Sequence, residues 1–338
     1  MTTTIIDKKI GQIGYGMMGL TWRDKQATDE EANKCLETAF DNGVNFWNGG
    51  EFYGPIERNS LHVLNTYFTK HPEQADKVVI SIKGGGKPGT PIPDGSPENI
   101  RRSIDECLKI LDGKKFLDIF ESARVDPKVP IEITIGAIAE YVKAGKVGGI
   151  SLSECSADSI RRAAKVHKIA AVEVELSLWA TEIYDNGVAQ TCAELGIPIV
   201  AYSPLGRGFL TGQIKSFNDL PEGDFRRHAP RFQPGVFEQN LELVHKLQKI
   251  ADKKGVTPGQ VGLSWVLHQG KKAGGPQVIP IPGATKSERI TENNVVVDLS
   301  SEDEAEIERI LKSVDIIGGR YPEAIAALNF GNSPPLQS

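Results

Sequence analysis

An alternation constrains this chain more than any other feature. Short apolar, β-branched runs take turns with segments of helical period from one end to the other. VNFWN (44–48), VVISIK (78–83), FLDIF (116–120), VGGISLS (147–153), AAVEVEL (170–176), IPIVAYS (197–203) and VIPIP (278–282) read as strands. The helical segments between them have recognisable ends. Thr28 and Glu31 form a capping box ahead of Ala32, Leu36, Ala39 and Phe40, and Gly43 stops that helix. Ser96-Pro97 reads as N-cap and first helical residue, with Ile100, Ile104, Leu108 and Leu111 on one face. Further helices are expected over 57–70, up to Gly145, from Ser156, around 188–195, over 238–254 and 258–268, and at 286–293 and 301–314.

Strands alternating with helices build parallel βαβ units. With one more strand near 10–15 there are eight, each followed by a helix, and no linker-like break divides them. Two doubly wound domains would need such a boundary. The expected fold is therefore α/β, a single (β/α)8 TIM barrel over residues 1–338 with extra helices after strand seven and at the C-terminus.

The 39 Lys and Arg residues against 44 Asp and Glu leave a net charge of -5, which argues against a nucleic-acid binder. Four scattered cysteines without a CxxC pair point to a reducing compartment rather than a disulfide scaffold or zinc site. No early apolar stretch reads as a signal peptide, and no run is long enough to span a bilayer. The expectation is a cytoplasmic protein, with the nucleus as the other compartment open to it, and with neither nucleic acid nor membrane as partner.

In a barrel, chemistry sits at the C-terminal ends of the strands. Those ends carry Asn48, Glu51, Tyr53, Lys83, Glu121, Arg124, Ser153, Glu154, Glu173, Glu175, Tyr202 and Ser203. Half of such a set is expected to cap helices or line the mouth for stability alone. Gly14-Tyr15-Gly16-Met17-Met18-Gly19 matches the dinucleotide fingerprint, but helix signals begin only at Thr28, so it reads as a decoy. Gly84-Gly85-Gly86-Lys87 is no phosphate loop, because Pro88 stands where Ser or Thr must hold magnesium. The six histidines lack ligand spacing, and no metal site is expected.

Tyr53 and Lys83, at the ends of successive strands, form the most specific pair. A lone phenol has a pKa of about 10, and a nearby ammonium brings it down. Such a pair is suited to protonating a carbonyl oxygen as hydride arrives. Taken alone, Tyr53 is equally readable as a rim tyrosine.

GVNFWNGGEFYG (43–54), VVISIKGG, FLDIFESARVDP (116–127), KVGGISLSE, AYSPLGRGFLTG (201–212) and IPIPGATKSERITENN (279–294) resemble, in order, the conserved segments of the aldo-keto reductases. The resemblance implies an NADP-dependent oxidoreductase in which Tyr53 donates the proton and Lys83 is its electrostatic partner. Ser153 and Glu173 would lie at the nicotinamide carboxamide, and Tyr202 would stack on its ring. Ser203, Leu205 and Arg207 would hold the pyrophosphate. Gly283, Thr285, Lys286, Ser287 and Arg289 would surround the 2′-phosphate, with Glu292 and Asn293 at the adenine, which favours NADPH over NADH.

Four positions depart from the family pattern. Asn48 stands for an aspartate, Ala123 for a histidine, Glu154 for an asparagine and Glu173 for a glutamine. Asn48 keeps an oxygen for Lys83 but brings no negative charge. FWNGGEFYG together with DIFESARVDP is similar to the pyridoxal reductase branch of the family. That similarity implies a small aldehyde substrate, pyridoxal, reduced to pyridoxine in vitamin B6 metabolism. Its hydroxyl ortho to the aldehyde would polarise the carbonyl internally in place of the histidine. Trp22, Phe52 and Trp179 are candidate walls for the ring. A general aryl-aldehyde or ketone reductase and a low-turnover cofactor-binding regulatory subunit are the other readings. Arg226, Arg227 and Arg231, in a Gly/Pro/Arg-rich excursion over 205–237, suit either a lid over the cofactor or a surface loop.

Overall fold

The computed structural model describes residues 3–336. Eight parallel strands run in sequence order: β3 (Tyr15–Gly16), β4 (Phe46–Gly50), β5 (Val79–Gly84), β6 (Leu117–Ser122), β7 (Val147–Ser153), β8 (Ile169–Glu175), β9 (Ile199–Tyr202) and β10 (Val278–Pro280). Gly14 and Gly16 close the barrel by donating to the carbonyls of Pro280 (2.9 Å) and Pro282 (3.2 Å). A Cβ on either glycine would meet a backbone oxygen at 2.8 Å, that of Phe46 or that of Ile281. The fingerprint-like glycines thus serve barrel closure.

Helices α2 (Asp29–Asp41), α3 (Ser60–Lys70), α4 (Pro97–Leu111), α5 (Ile131–Lys143), α6 (Ala157–Val166) and α7 (Val188–Glu194) link successive strands. The Thr28–Glu31 capping box and the Ser96 cap are formed. Two helices, α8 (Val236–Lys254) and α9 (Pro258–Gln269), follow β9, and α10 (Ser287–Asn293), α11 (Ser301–Ser313) and α12 (Glu323–Ala326) follow β10. This is the expected TIM barrel with its extra helices in the expected places. Among the described residues no helix is long and apolar enough to cross a membrane.

Two elements escape the sequence reading. A hairpin of β1 (Thr3–Ile5) and β2 (Lys8–Ile10) plugs the N-terminal end of the barrel, where Ile5 and Ile10 pack on Phe46, Val79, Ile119 and Ile279. A one-turn helix, α1 (Met18–Thr21), carries the chain out of β3 toward Trp22.

The 205–237 excursion is held in place by its arginines. Arg226 pairs with Asp224, Arg227 donates to the Leu220 carbonyl, and Arg231 pairs with Glu182 and donates to the carbonyls of Trp179 and Gly318. All three are spent on the fold, so the structure supports neither the lid nor a loop free in solvent.

Candidate active site

The polar set gathers at the C-terminal mouth. Lys83 is sealed at 3% exposure and its Nζ has three partners: Glu173 Oε2 at 2.6 Å, Asn48 Oδ1 at 2.9 Å and Glu121 Oε1 at 3.1 Å. Asn48 also donates to Glu173 Oε2 at 2.7 Å, and Ser81 donates to Glu121 Oε2 at 3.0 Å. The negative charge that Asn48 lacks therefore reaches Lys83 from β8. Glu173, expected at the carboxamide, is instead clamped on the lysine. Burial disfavours the ammonium, but Glu121 and Glu173 outweigh it and hold Lys83 charged. Burial and then the neighbouring Glu173 push Glu121 up to about 8, because two carboxylates compete for one cation.

Tyr53 lies over this cluster, with Lys83 Nζ 5.7 Å from its ring centroid. Thr21 Oγ1 anchors the Tyr53 carbonyl at 2.5 Å, while the phenol hydroxyl makes no hydrogen bond among the described residues. Burial pushes the phenol up to about 12; Lys83 pulls it down, but Glu173 and Glu121 oppose that pull. The expected lowering by Lys83 is thus overruled, chiefly by burial and further by the two carboxylates. Tyr53 stays protonated across the neutral range.

Trp22 and Phe52 flank Tyr53, with ring centroids 5.5 and 5.4 Å from it, and Ala123 packs beside Phe52 and Tyr53. A cleft of about 370 Å3 opens among Trp22, Phe52, Gly54 and Pro91. The larger cavity, about 570 Å3 around Lys9, Asn45 and Lys77, is at the opposite end of the barrel, away from these groups. Trp179 is not a wall of the cleft. It packs on Phe209 (3.8 Å) and Phe232 (5.2 Å) in the core under the excursion.

The expected cofactor residues divide into two groups. Gly283, Thr285 and Lys286 lie on the loop after β10 and Ser287 and Arg289 in the first turn of α10, Gly283, Lys286 and Arg289 exposed and Thr285 and Ser287 half-exposed, with Glu292 and Asn293 one turn further along. Arg289 pairs with Glu292, which also accepts from Thr257. Lys286, without an ion pair among the described residues, and Arg289, paired only with the neighbouring Glu292, stand beside two hydroxyls, a set that suits a phosphate dianion.

The second group is engaged by a C-terminal strap that sequence reasoning missed. Arg320 pairs with Glu154 (3.0 Å) and Glu175 (3.2 Å), and Tyr321 shares a hydrogen bond with the Tyr202 hydroxyl (3.0 Å). Arg207, expected at the pyrophosphate, pairs with Glu175 (3.3 Å), donates to the Arg320 carbonyl (2.8 Å) and stacks on Tyr321 (4.3 Å). Its guanidinium is not free for an anion here. Glu154, in place of the family asparagine, is the strap's anchor: burial opposes its charge, and Arg320 more than restores it. Ser203 and Leu205 begin the same turn, Ser203 at a positive φ of 48° and Leu205 buried. Ser153 is sealed at the end of β7 and accepts from Arg124.

Comparison with known proteins agrees with this geometry. The model of the Aldo/keto reductase family matches residues 12–312. "Probable pyridoxal reductase 2" of Schizosaccharomyces pombe is 42% identical, covering 93% of this chain and 95% of that protein. "Putative pyridoxal reductase" of Saccharomyces cerevisiae is 39% identical over 92% of this chain and 96% of its own length. Among solved structures, the glycerol dehydrogenase AKR11B4 from Gluconobacter oxydans superposes with a TM-score of 0.80 at 22% identity, covering 94% of this chain and 96% of that one. An eight-stranded barrel with a buried Tyr–Lys pair at its mouth, matched by the family model over most of its length, identifies the chain as a member of the aldo/keto reductase family and an oxidoreductase.

Proposed function

We propose that this enzyme reduces pyridoxal to pyridoxine with NADPH. One observation carries the reading: a protonated phenol, Tyr53, clusters with the aromatic rings of Trp22 and Phe52 and is backed by the charged Lys83. The two relatives named pyridoxal reductases support the choice among flat aromatic aldehydes. The exposed Lys286 and Arg289, with Thr285 and Ser287, support NADPH over NADH, because only the former brings a 2′-phosphate to pair with them.

When bound, the nicotinamide supplies a hydride to the aldehyde carbon. The chain's own residues do the rest. Trp22 and Phe52 edge the substrate ring, and Tyr53 Oη gives its proton to the aldehyde oxygen. A phenol near 12 remains a stronger acid than water at about 15.7, so transfer toward an alkoxide-like oxygen is downhill. Lys83 then faces the phenolate, held there by Glu173 and Asn48. Ala123 cannot donate to the carbonyl, and the substrate's own ortho hydroxyl fills that role.

The test is oxidation of NADPH followed in the near ultraviolet with pyridoxal, pyridoxal phosphate and plain benzaldehyde. Pyridoxal should give a kcat/KM at least about tenfold above benzaldehyde, the worth of one charge-assisted hydrogen bond. Equal values would make the enzyme a general aryl-aldehyde reductase.

A further inference from the structure

Among the described residues, the buried and half-buried cations of the mouth are paired with one exception. Lys83 has Glu121 and Glu173, Arg102 has Glu51, Arg207 has Glu175, and Arg320 has Glu154 and Glu175. Arg124, half-buried among them, forms no ion pair among the described residues. Its neighbours are tyrosines. Burial opposes its charge and the Glu154 carboxylate nearby favours it, while Tyr202, Tyr321 and Tyr53 lie around it as neutral phenols.

A guanidinium carries five N–H donors. The two on Nη1 are spent on the Ala123 carbonyl at 2.6 Å and on Ser153 Oγ at 3.1 Å. The three on Nε and Nη2 have no acceptor among the described residues. Neither nitrogen is sealed in protein, in contrast to Trp179 Nε1, which is. These donors therefore open toward accessible space. Arg124 directly follows Ala123, whose side chain packs against Tyr53 and Phe52, so that space borders the proton donor. A half-buried cation without an ion pair costs stability, and one whose spare donors reach accessible space is placed to take an anion or a strong acceptor.

We propose that Arg124 is the specificity-determining group of this site, binding an acidic oxygen ortho to the aldehyde of the substrate. The inference rests on the reading of the enzyme as an aryl-aldehyde reductase and adds which aldehydes it selects. Arg124 donates to the ortho oxygen, and a hydroxyl that accepts from a cation becomes a better donor, so its proton bonds more strongly to the neighbouring aldehyde oxygen. The carbonyl is thereby polarised at a position where Ala123 offers nothing. The preferred class is the ortho-hydroxy aryl aldehydes, with or without a ring nitrogen.

The experiment measures kcat/KM for 2-hydroxybenzaldehyde and benzaldehyde with NADPH, in the wild type, Arg124→Leu and Arg124→Lys, together with NADPH affinity from protein fluorescence. The wild type should favour the hydroxy compound by roughly ten- to a hundredfold, the worth of one hydrogen bond to a charged group. Arg124→Leu should remove most of that preference by lowering turnover of the hydroxy compound alone. Arg124→Lys, which folds with the charge kept, should retain part of it. NADPH affinity should change by less than about threefold, since Arg124 acts on the substrate. An equal loss for both aldehydes, or a loss of NADPH affinity, would assign Arg124 to holding Ser153 and overturn the proposal. So would a wild type without preference, or a lysine variant that keeps none of it. Failure to reduce any aldehyde would instead remove the underlying reading, and the proposal with it.

Discussion

If Glu173 supplies the charge that Asn48 lacks, moving the carboxylate back to β4 should preserve the enzyme. Glu173→Gln keeps the shape and removes the charge 2.6 Å from Lys83 Nζ. At that distance the gross attraction is about 6 kcal/mol for an effective dielectric near 20. The net loss is smaller, because Glu121 stays 3.1 Å from the ammonium and ionises more readily once Glu173 is neutral. A lost hydrogen bond to a charged group, about 1.5–3 kcal/mol, predicts a ten- to hundredfold fall in kcat/KM. Asn48→Asp alone gathers three carboxyls around one lysine and should cost about tenfold through like-charge repulsion. The double variant restores the original count and should recover to within about threefold of wild type, a coupling of at least about 1 kcal/mol.

The pH profile separates this from mere loss of packing. Glu173 raises the Tyr53 pKa, so the alkaline limit of kcat/KM should move down in Glu173→Gln and return in the double variant. Additive losses in the double variant, with an unmoved alkaline limit, would refute the reasoning. Glu173 would then be a packing residue.

Tyr53→Phe should lower aldehyde turnover by about 10²–10⁴-fold while NADPH titration stays within about threefold, and a fall of less than tenfold would remove Tyr53 as proton donor. Arg289→Ala should weaken NADPH about ten- to a hundredfold and leave NADH nearly unchanged, read by fluorescence titration of both. Arg320→Ala strands the buried Glu154 carboxylate and leaves Glu175 with Arg207 alone, and should cost about 3–5 kcal/mol in urea unfolding. Glu121→Gln tests the raised carboxyl through stability. Between about pH 4.5 and 8 the unfolded chain loses this proton while the folded one keeps it, so the group's contribution to stability falls as pH rises. The melting temperature of the glutamine variant relative to wild type should therefore rise across that window.

The barrel was legible because parallel strands buried on both faces read as unbroken apolar runs, and because caps such as Thr28 and Ser96 mark where helices begin. Elements without such signals were not. The β1–β2 hairpin turns through Ile6 and Asp7 at positive φ, with no glycine or asparagine to announce it. The helix α1 is four residues long with no side-chain cap. Tyr53 beside Lys83 was visible because β4 and β5 are neighbours. Glu173 on Lys83 was not, since two strands separate β8 from β5 and the contact crosses the barrel interior. Acidic residues at the inward ends of β6 and β8 were the available clue, as buried carboxylates need a cation. The strap at 314–331 has no periodicity, and reading Arg207 by family analogy alone missed that Arg320 and Tyr321 engage it.

The four departures from the family pattern act as one arrangement. Glu173 answers Asn48 by returning a carboxylate to Lys83. Glu154 serves a different end, anchoring Arg320 and so the strap over the mouth. Lys83, Arg124, Arg207 and Arg320 then face Glu121, Glu154, Glu173 and Glu175, four cations against four carboxyls. With Glu121 held protonated up to about 8, the balance at neutral pH is one positive charge, and Arg124 is the cation without a partner. That excess charge stands beside Ala123, the fourth departure. A histidine there would serve any aldehyde. If Arg124 binds an ortho oxygen as proposed, an alanine flanked by that guanidinium would serve an aldehyde that brings its own ortho oxygen, and the loss of the histidine would narrow the substrate range while Tyr53 and Lys83 stay in place.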